Sequence, residues 1–386
     1  RIQDHVRPGD VVARMGGDEF AVLLHQMNDP NTATDLAERL QDVLRLPMHI
    51  GGIAVATSAS MGITFSSLGY TAPEEMLRDA DTAMYRAKAS GKARCALFDA
   101  ALHTEVSNRL QLENDLRAAI AQETLDIVYQ PLFHIGNGRL RGFEALTRWN
   151  HPTRGPIPPS IFIPIAEASG LIIELSDLVL VRACRQLRLW QEIDPSLRDL
   201  KLQVNMSAAD LAHSALFERV ARALRSTHFT PHLLTLELTE SILMTGVESA
   251  LPALDALRRL GVSLAIDDFG TGYSSLSYLS TLPIDSLKID RSFVHGMRLG
   301  SKDAEIVRAI VSLGATLGKS VVAEGIETVS QLAQLRELGC EHGQGFHLSQ
   351  PLTAADAQVL LEMIVAEGRE RHHSSFDTGM MPLMRH

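Results

Sequence analysis

The alternation of apolar and polar positions divides the chain into two differently patterned stretches. Residues 9 to 25 read as two strands, Val11 to Arg14 and Glu19 to His25, joined through Gly16-Gly17, a pair suited to a tight hairpin. Helical spacing follows over Asn31 to Leu44, and the apolar run Ile53 to Phe65 reads as strands. Met76, Ala80, Ala83, Met84 and Ala87 mark a helix over Ala72 to Ser90 that stops at Gly91. Strand character returns at Arg94 to Phe98. Ala101 to Gln122 then reads as a long polar helix with Leu110, Leu112, Leu116 and Ile120 along one side. This helix is the natural connector, with a domain boundary near residues 100 to 110.

From Leu125 onward strands alternate with helices, the pattern of a largely parallel sheet. The candidate strands are 125–132, 139–147, 200–206, 233–239, 262–267, 285–290, 320–325 and 342–347. Between them lie amphipathic helices such as 302–318, with Ile306, Val307, Ile310, Val311, Gly314 and Leu317 on one face. Eight strands over roughly 260 residues match an α/β fold of the (β/α)₈ TIM-like barrel type, typically about 250 residues long. An open doubly wound sheet lacks support, because no glycine-rich phosphate turn follows the first strand. The expected organisation is a first domain over 1–101, a connecting helix over 102–122, the barrel over 123–370 and a tail over 371–386.

Composition narrows the chemistry. With 45% apolar and 21% charged residues the chain can bury a sizeable core. Its 36 basic and 46 acidic residues leave a net charge of -10, which argues against coating a nucleic-acid polymer through a broad basic face. Cys95, Cys184 and Cys340 are widely spaced and odd in number, so neither a disulfide framework nor a cysteine zinc site is expected, and a cytoplasmic setting fits. No run approaches the ~18 apolar residues of a membrane span. The opening Arg1-Ile2-Gln3-Asp4-His5-Val6 lacks the plan of a signal peptide, and the chain reads as a fragment of a parent that could be anchored through an upstream region.

The ends of the predicted strands carry the candidate chemistry. Glu144 lies in the second strand; Asn205, Glu237 with Glu240, Asp267 with Asp268, Lys288 with Asp290, Glu324 with Glu327, and Gln344 close the third to the eighth. In a (β/α)₈ barrel these ends converge on one rim. Taken singly, each acid or amide is an ordinary turn former or helix cap; six strands ending this way are not. Clustered carboxylates repel unless protonated or bound to metal, and their hard oxygens select Mg²⁺ or Mn²⁺; two ions about 3.5–4 Å apart suit displacement at phosphorus. His151, His213, His228, His232, His295, His342 and His347 show no paired ligand spacing and read as surface or packing residues.

These residues resemble those of the EAL-domain cyclic di-GMP phosphodiesterases. The similarity runs through Glu144-Ala145-Leu146 with Thr147-Arg148, Asn205-Met206-Ser207, Glu237-Leu238-Thr239-Glu240, Asp267 to Leu276, Lys288-Ile289-Asp290, Glu324-Gly325-Ile326-Glu327 and Gln344-Gly345-Phe346. The resemblance implies a barrel with one antiparallel strand and metal-dependent hydrolysis of cyclic di-GMP to linear pGpG. It implies that Glu144, Asn205, Glu237 and Asp267 hold one ion and that Asp268 serves the second. Glu324 becomes the general base, with Lys288 holding the attacking water. Arg148, Leu146 and Gln344 contact the substrate, while Glu240, Asp290 and Glu327 orient loops and ligands. The Asp267 to Leu276 segment is expected to link the metal site to a homodimer interface of the barrel. Two other readings stay open: a receptor or scaffold that binds cyclic di-GMP without hydrolysing it, and a bifunctional parent acting mainly as a diguanylate cyclase.

The first stretch resembles the C-terminal part of an α/β GGDEF diguanylate cyclase domain, through Gly16-Gly17-Asp18-Glu19-Phe20 and Ala83-Met84-Tyr85-Arg86-Ala87-Lys88. Arg7-Pro8-Gly9-Asp10 is similar to that family's RxxD inhibitory site. The family's first metal-binding Asp and its guanine-recognising residues precede this hairpin. Asp18 and Glu19 are therefore expected to make no cyclic di-GMP here, with GTP a ligand of an intact GGDEF domain in the parent.

Overall fold

A computed structural model describes the chain except residues 26–30, 52, 99, 241–246, 273–278, 280, 299 and 378–386. The chain forms two compact units, Arg1–Asn114 and Asp115–His386. In the first, β1 (Val11–Gly16) and β2 (Glu19–Leu23) pair antiparallel, with an irregularity between Arg14 and Gly16 where Gly17 takes a positive φ of 55°. Helix α1 (Asn31–Arg45) follows, then a short hairpin of β3 (Met48–Ile50) and β4 (Ile53–Val55). Strand β5 (Met61–Ile63), helix α2 (Pro73–Ala89) and the parallel strand β6 (Cys95–Leu97) complete a βαβ unit. Its helix seats on Ala83 and Ala87, both fully buried, while Val11, Phe20 and Leu23 of the hairpin remain about half exposed.

Helix α3 (Ala100–Ala121) leads into the second unit. Leu116 and Ile120 are buried, but Leu110 is 55% exposed. The sequence pattern grouped all three; six residues at 3.6 per turn rotate Leu110 about 240° away from Leu116, so they cannot share a face. Strands β7 (Asp126–His134), β8 (Leu140–His151), β10 (Lys201–Met206), β11 (Leu234–Thr239), β12 (Ser263–Phe269), β13 (Ser286–Ile289), β14 (Ser320–Ala323) and β15 (His342–Gly343) form the barrel, with β9 (Gly155–Ile157) a short extension of β8. Pairing of β8 with β10 closes the ring, and β7 alone runs antiparallel to its neighbours β8 and β15. The crossovers are α4 (Pro159–Ser169), α5 (Ile172–Gln191), α6 (Ala208–Ala212), α7 (Leu216–Thr227), α8 (Val247–Arg259), α9 (Arg291–His295), α10 (Lys302–Leu317) and α11 (Val329–Glu337). The last helix, α12 (Ala354–Asp377), continues past residue 370, where the sequence suggested that a tail begins.

Outside the barrel, Trp190 of α5 packs against Tyr129 and Phe143, with ring centroids 4.8 and 5.0 Å away. Barrel closure depends on Gly142. A Cβ there would lie 2.0 Å from the carbonyl oxygen of Lys201, a backbone atom that cannot swing aside. Gly142→Ala is therefore expected to cost about 3 kcal/mol, the upper end of overpacking. The check is a lowered urea midpoint at unchanged slope; an unmoved midpoint would show that β8 and β10 can separate freely. Among the described residues no helix is long and apolar enough to cross a membrane.

Candidate active site

Alternation along the strands selects what the barrel interior receives. On β8 the residues Glu144, Leu146 and Arg148 share one face, and the register pairs Glu144 with Gln203 of β10 and Asn205 with Glu237 of β11. Lys288 of β13 is fully buried, with Glu144 and Glu237 nearly so. Glu324 and Gln344 lie just beyond β14 and β15, at the same ends of their strands. Asp267 and Asp268 would point to opposite faces of a regular strand. A register shift between Ile266 and Phe269, together with a left-handed φ of 53° at Asp268, brings Asp268 within the field of Asp267, Asp290 and Lys288. The Asp268 N–H donates to Asp267 Oδ1 at 3.0 Å.

The centre of the site is an ammonium among carboxylates. Lys288 Nζ lies 2.6 Å from Glu324 Oε1, 2.9 Å from Glu237 Oε2, 3.3 Å from Asp267 Oδ1 and 3.5 Å from Glu144 Oε2. Neither Lys288 Nζ nor either carboxylate oxygen of Glu237 has a partner in hydrogen-bonding alignment, so these are close ion pairs. Glu144 accepts from Asn205 Nδ2 at 2.9 Å and from Gln344 Nε2 at 2.6 Å, and Gln344 Nε2 also donates to Glu324 Oε1 at 3.2 Å.

One ammonium cannot neutralise four ionised carboxylates. Burial pushes Glu324 up to about 8, with Asp267 and Glu144 adding to the rise and Lys288 opposing it. Burial likewise holds Glu237 well above the usual carboxylate range. For Glu144 the burial penalty is outweighed by Lys288, Gln344 and Asn205, and its carboxyl is lowered. Burial alone would lower Lys288, but Glu144, Glu237, Glu324 and Asp267 overcome it and hold the ammonium well above its ordinary value. Asp268 rises to about 6 through burial and Asp267, whereas hydrogen bonds from Ser292 and Asp268 overcome burial to lower Asp290.

The remaining candidates occupy the periphery. Glu240 accepts from the N–H groups of Gly270 (2.8 Å) and Gly272 (3.3 Å), fixing the start of the loop after β12; Tyr273 to Leu276, the rest of that segment, lie outside the described residues. Glu327 is half exposed and faces His295 Nδ1 at 3.3 Å. Arg148 is half-buried, and its Nη1 donates to the carbonyl oxygen of Thr147 at 2.9 Å. In the first unit, Asp10 accepts from the N–H groups of Arg7 (2.9 Å) and His25 (3.0 Å), and Asp18 and Glu19 are exposed. Gln331 was not singled out from the sequence. It accepts from the N–H groups of Glu327 (2.8 Å) and Thr328 (2.9 Å) and donates to the carbonyl oxygen of Val294 (3.0 Å), tying the loop after Glu324 to α9. The Thr328-x-x-Gln331 spacing of a capping box was its legible signal.

The oxygens of Glu144, Glu237, Asp267 and Glu324, with the amides of Asn205 and Gln344 beside Glu144, are hard donors of the kind a divalent cation takes. Glu237 is the clearest sign of fit, because both of its buried oxygens lack a hydrogen-bond partner and, among the described residues, only Lys288 pairs with it. Among the described residues no group of three acidic, histidine or cysteine side chains is spaced to hold an ion as it stands. The four carboxylates instead surround Lys288.

The second unit is thus a closed (β/α)₈-like barrel with one antiparallel strand and an acidic, lysine-centred rim. The family model described as "EAL domain" matches residues 113–351, and the chain belongs to that family. A second, "Diguanylate cyclase, GGDEF domain", matches residues 1–94. The chain is 44% identical to the bifunctional diguanylate cyclase/cyclic di-GMP phosphodiesterase MucR of Pseudomonas aeruginosa over 92% of its own length and 51% of the relative's. It is 39% identical to the cyclic di-GMP phosphodiesterase PdeR of Escherichia coli, over 89% and 51%. It thus spans about half the length of these curated relatives. A solved structure of the PaMucR phosphodiesterase in complex with c-di-GMP aligns at a TM-score of 0.61 and 46% identity, over 64% of this chain and 99% of that one.

Proposed function

We propose that the barrel hydrolyses one phosphodiester bond of cyclic di-GMP to give linear pGpG. The observation that carries this reading is the buried Lys288–carboxylate cluster at the strand ends of a barrel whose relatives bear that activity in their names. Glu144, Asn205, Glu237 and Asp267 would hold one divalent ion and Asp268 a second. Such ions polarise the phosphodiester and the attacking water and offset charge growing at phosphorus.

The chain's own groups supply the rest. Glu324 takes the proton of the attacking water, a role matched by a carboxyl raised toward neutral pH. Lys288, 2.6 Å from that carboxylate, keeps the base oriented and holds the water beside it. The water oxygen forms the new bond to phosphorus, the bond to the 3′ oxygen breaks, and that oxygen takes a proton from solvent, to which Glu324 later returns the one it accepted. Arg148 offers a planar fork to a phosphate, and Gln344 fixes Glu144 and Glu324 relative to each other. A homodimer through the barrel belongs to the same reading, with light scattering as its check.

Binding and turnover of cyclic di-GMP by the 386-residue chain, followed together by calorimetry and chromatography, test the proposal. The reading requires both; tight binding with no product would make the barrel a receptor. Asn205→Ala and Asp267→Ala are each expected to weaken Mn²⁺ binding at least tenfold along with the rate. Unchanged affinity in metal titrations of both variants would remove them from the ligand set.

A further inference from the structure

The strand that carries Glu144 and Arg148 ends in a buried histidine that the proposed reaction does not use. His151 is 8% exposed and lies three residues beyond Arg148 on the opposite face of β8. Its Nδ1 accepts from the N–H groups of Thr153 (3.3 Å) and Arg154 (3.2 Å), which places the ring proton on Nε2. Nε2 faces Asp115 Oδ2 of α3 at 3.1 Å. A histidine serving only its own turn needs Nδ1 alone; the Nε2 contact reaches a different element. Asp115 is followed by Leu116, which is fully buried, so the carboxylate stands on a helix turn fixed against the barrel. A second tie holds the same strand end: Asn150 Nδ2 donates to Asp126 Oδ2 at 2.8 Å, and Asp126 is the cross-strand partner of Arg148. At about 3.3 Å per residue, His151 lies only about 10 Å along the strand from Arg148.

We propose that Asp115 and His151 form a positioning pair through which the connecting helix α3 holds the end of β8, and with it Arg148, in place for the substrate phosphate. The inference rests on the phosphodiesterase reading for its ligand. Neither residue touches the substrate; the pair sets substrate affinity and leaves the chemical step to the Glu324 and Lys288 end of the site.

Three substitutions in the 386-residue chain separate this role from a structural one. Asp115→Ala removes the acceptor at a partly exposed helix position, where the fold is not threatened. His151→Asn keeps an oxygen to cap the Thr153 and Arg154 N–H groups but no longer reaches α3. Asp115→Asn keeps a neutral acceptor. Kd for cyclic di-GMP by calorimetry, and KM and kcat with Mg²⁺, are the readouts.

Asp115→Ala and His151→Asn should each raise Kd and KM about fivefold, the scale of one hydrogen bond, with kcat within about twofold of wild type. The double variant should be no weaker than either single one, as for two groups acting as a unit, and Asp115→Asn should recover part of the loss. Wild-type Kd in Asp115→Ala, additive losses in the double variant, or a fall in kcat at unchanged KM would overturn the proposal. Should His151→Asn fail to fold, Asp115→Ala decides alone. A wild-type chain that binds cyclic di-GMP without turnover would sink the phosphodiesterase reading and leave the Kd comparison in force.

Discussion

Replacing Glu324 with Gln lowers turnover of cyclic di-GMP by about 10²-fold or more and leaves the dinucleotide bound at near wild-type affinity. The amide keeps the side chain's shape, and an oxygen can still meet Lys288 and the Gln344 Nε2 donor. What it cannot do is take a proton from water. The loss therefore falls on kcat, and calorimetric Kd stays close to that of the unaltered chain. Retained turnover would assign the proton transfer to another carboxylate; Asp268, raised to about 6, would be the next to test.

Withdrawing divalent cations with a chelator abolishes hydrolysis, and Mg²⁺ or Mn²⁺ restores it, whereas Ca²⁺ does so poorly because its longer, looser coordination misplaces the reacting groups. The cluster's electrostatics add a pH signature. In the metal-free protein Glu324 titrates near 8 against an ordinary 4.5, so the folded state binds more protons than the unfolded one across that window. The stability it contributes is complete below about 4.5 and is lost as pH rises through 8. Cation binding must also displace the protons of the raised ligands Glu237 and Asp268, so affinity rises with pH. Thermal melts of chelated protein at pH 6 and 8.5, with and without Mg²⁺, read both effects. Stabilisation by Mg²⁺ should be larger at the higher pH, and equal turnover in chelator would defeat the metal-dependent account.

Much of the barrel was legible because its strands are short apolar runs interrupted at their ends by residues a structural strand does not choose. Glu144, Asn205, Glu237, Asp267 and Lys288 each fall on the interior face by simple alternation. Alternation fails at Asp268, where a left-handed backbone and a register shift re-aim the side chain. The three-residue strands Met48–Ile50 and Gly155–Ile157 were missed, being too short to show a period. Lys288 was read as a holder of water; its fourfold carboxylate shell comes from four different strand ends spread between Glu144 and Glu324 and has no local signature. His151 was read as packing for the same reason, since its partner Asp115 lies on a helix that the sequence marks only as a connector.

The most direct test is mass spectrometry of the product formed from cyclic di-GMP by the purified chain with Mg²⁺ in ¹⁸O-enriched water. Attack by water at phosphorus predicts linear pGpG carrying one ¹⁸O on its terminal 5′ phosphate and none elsewhere. Full recovery of unlabelled cyclic dinucleotide from a protein that binds it would contradict the claim that this rim is a hydrolytic centre.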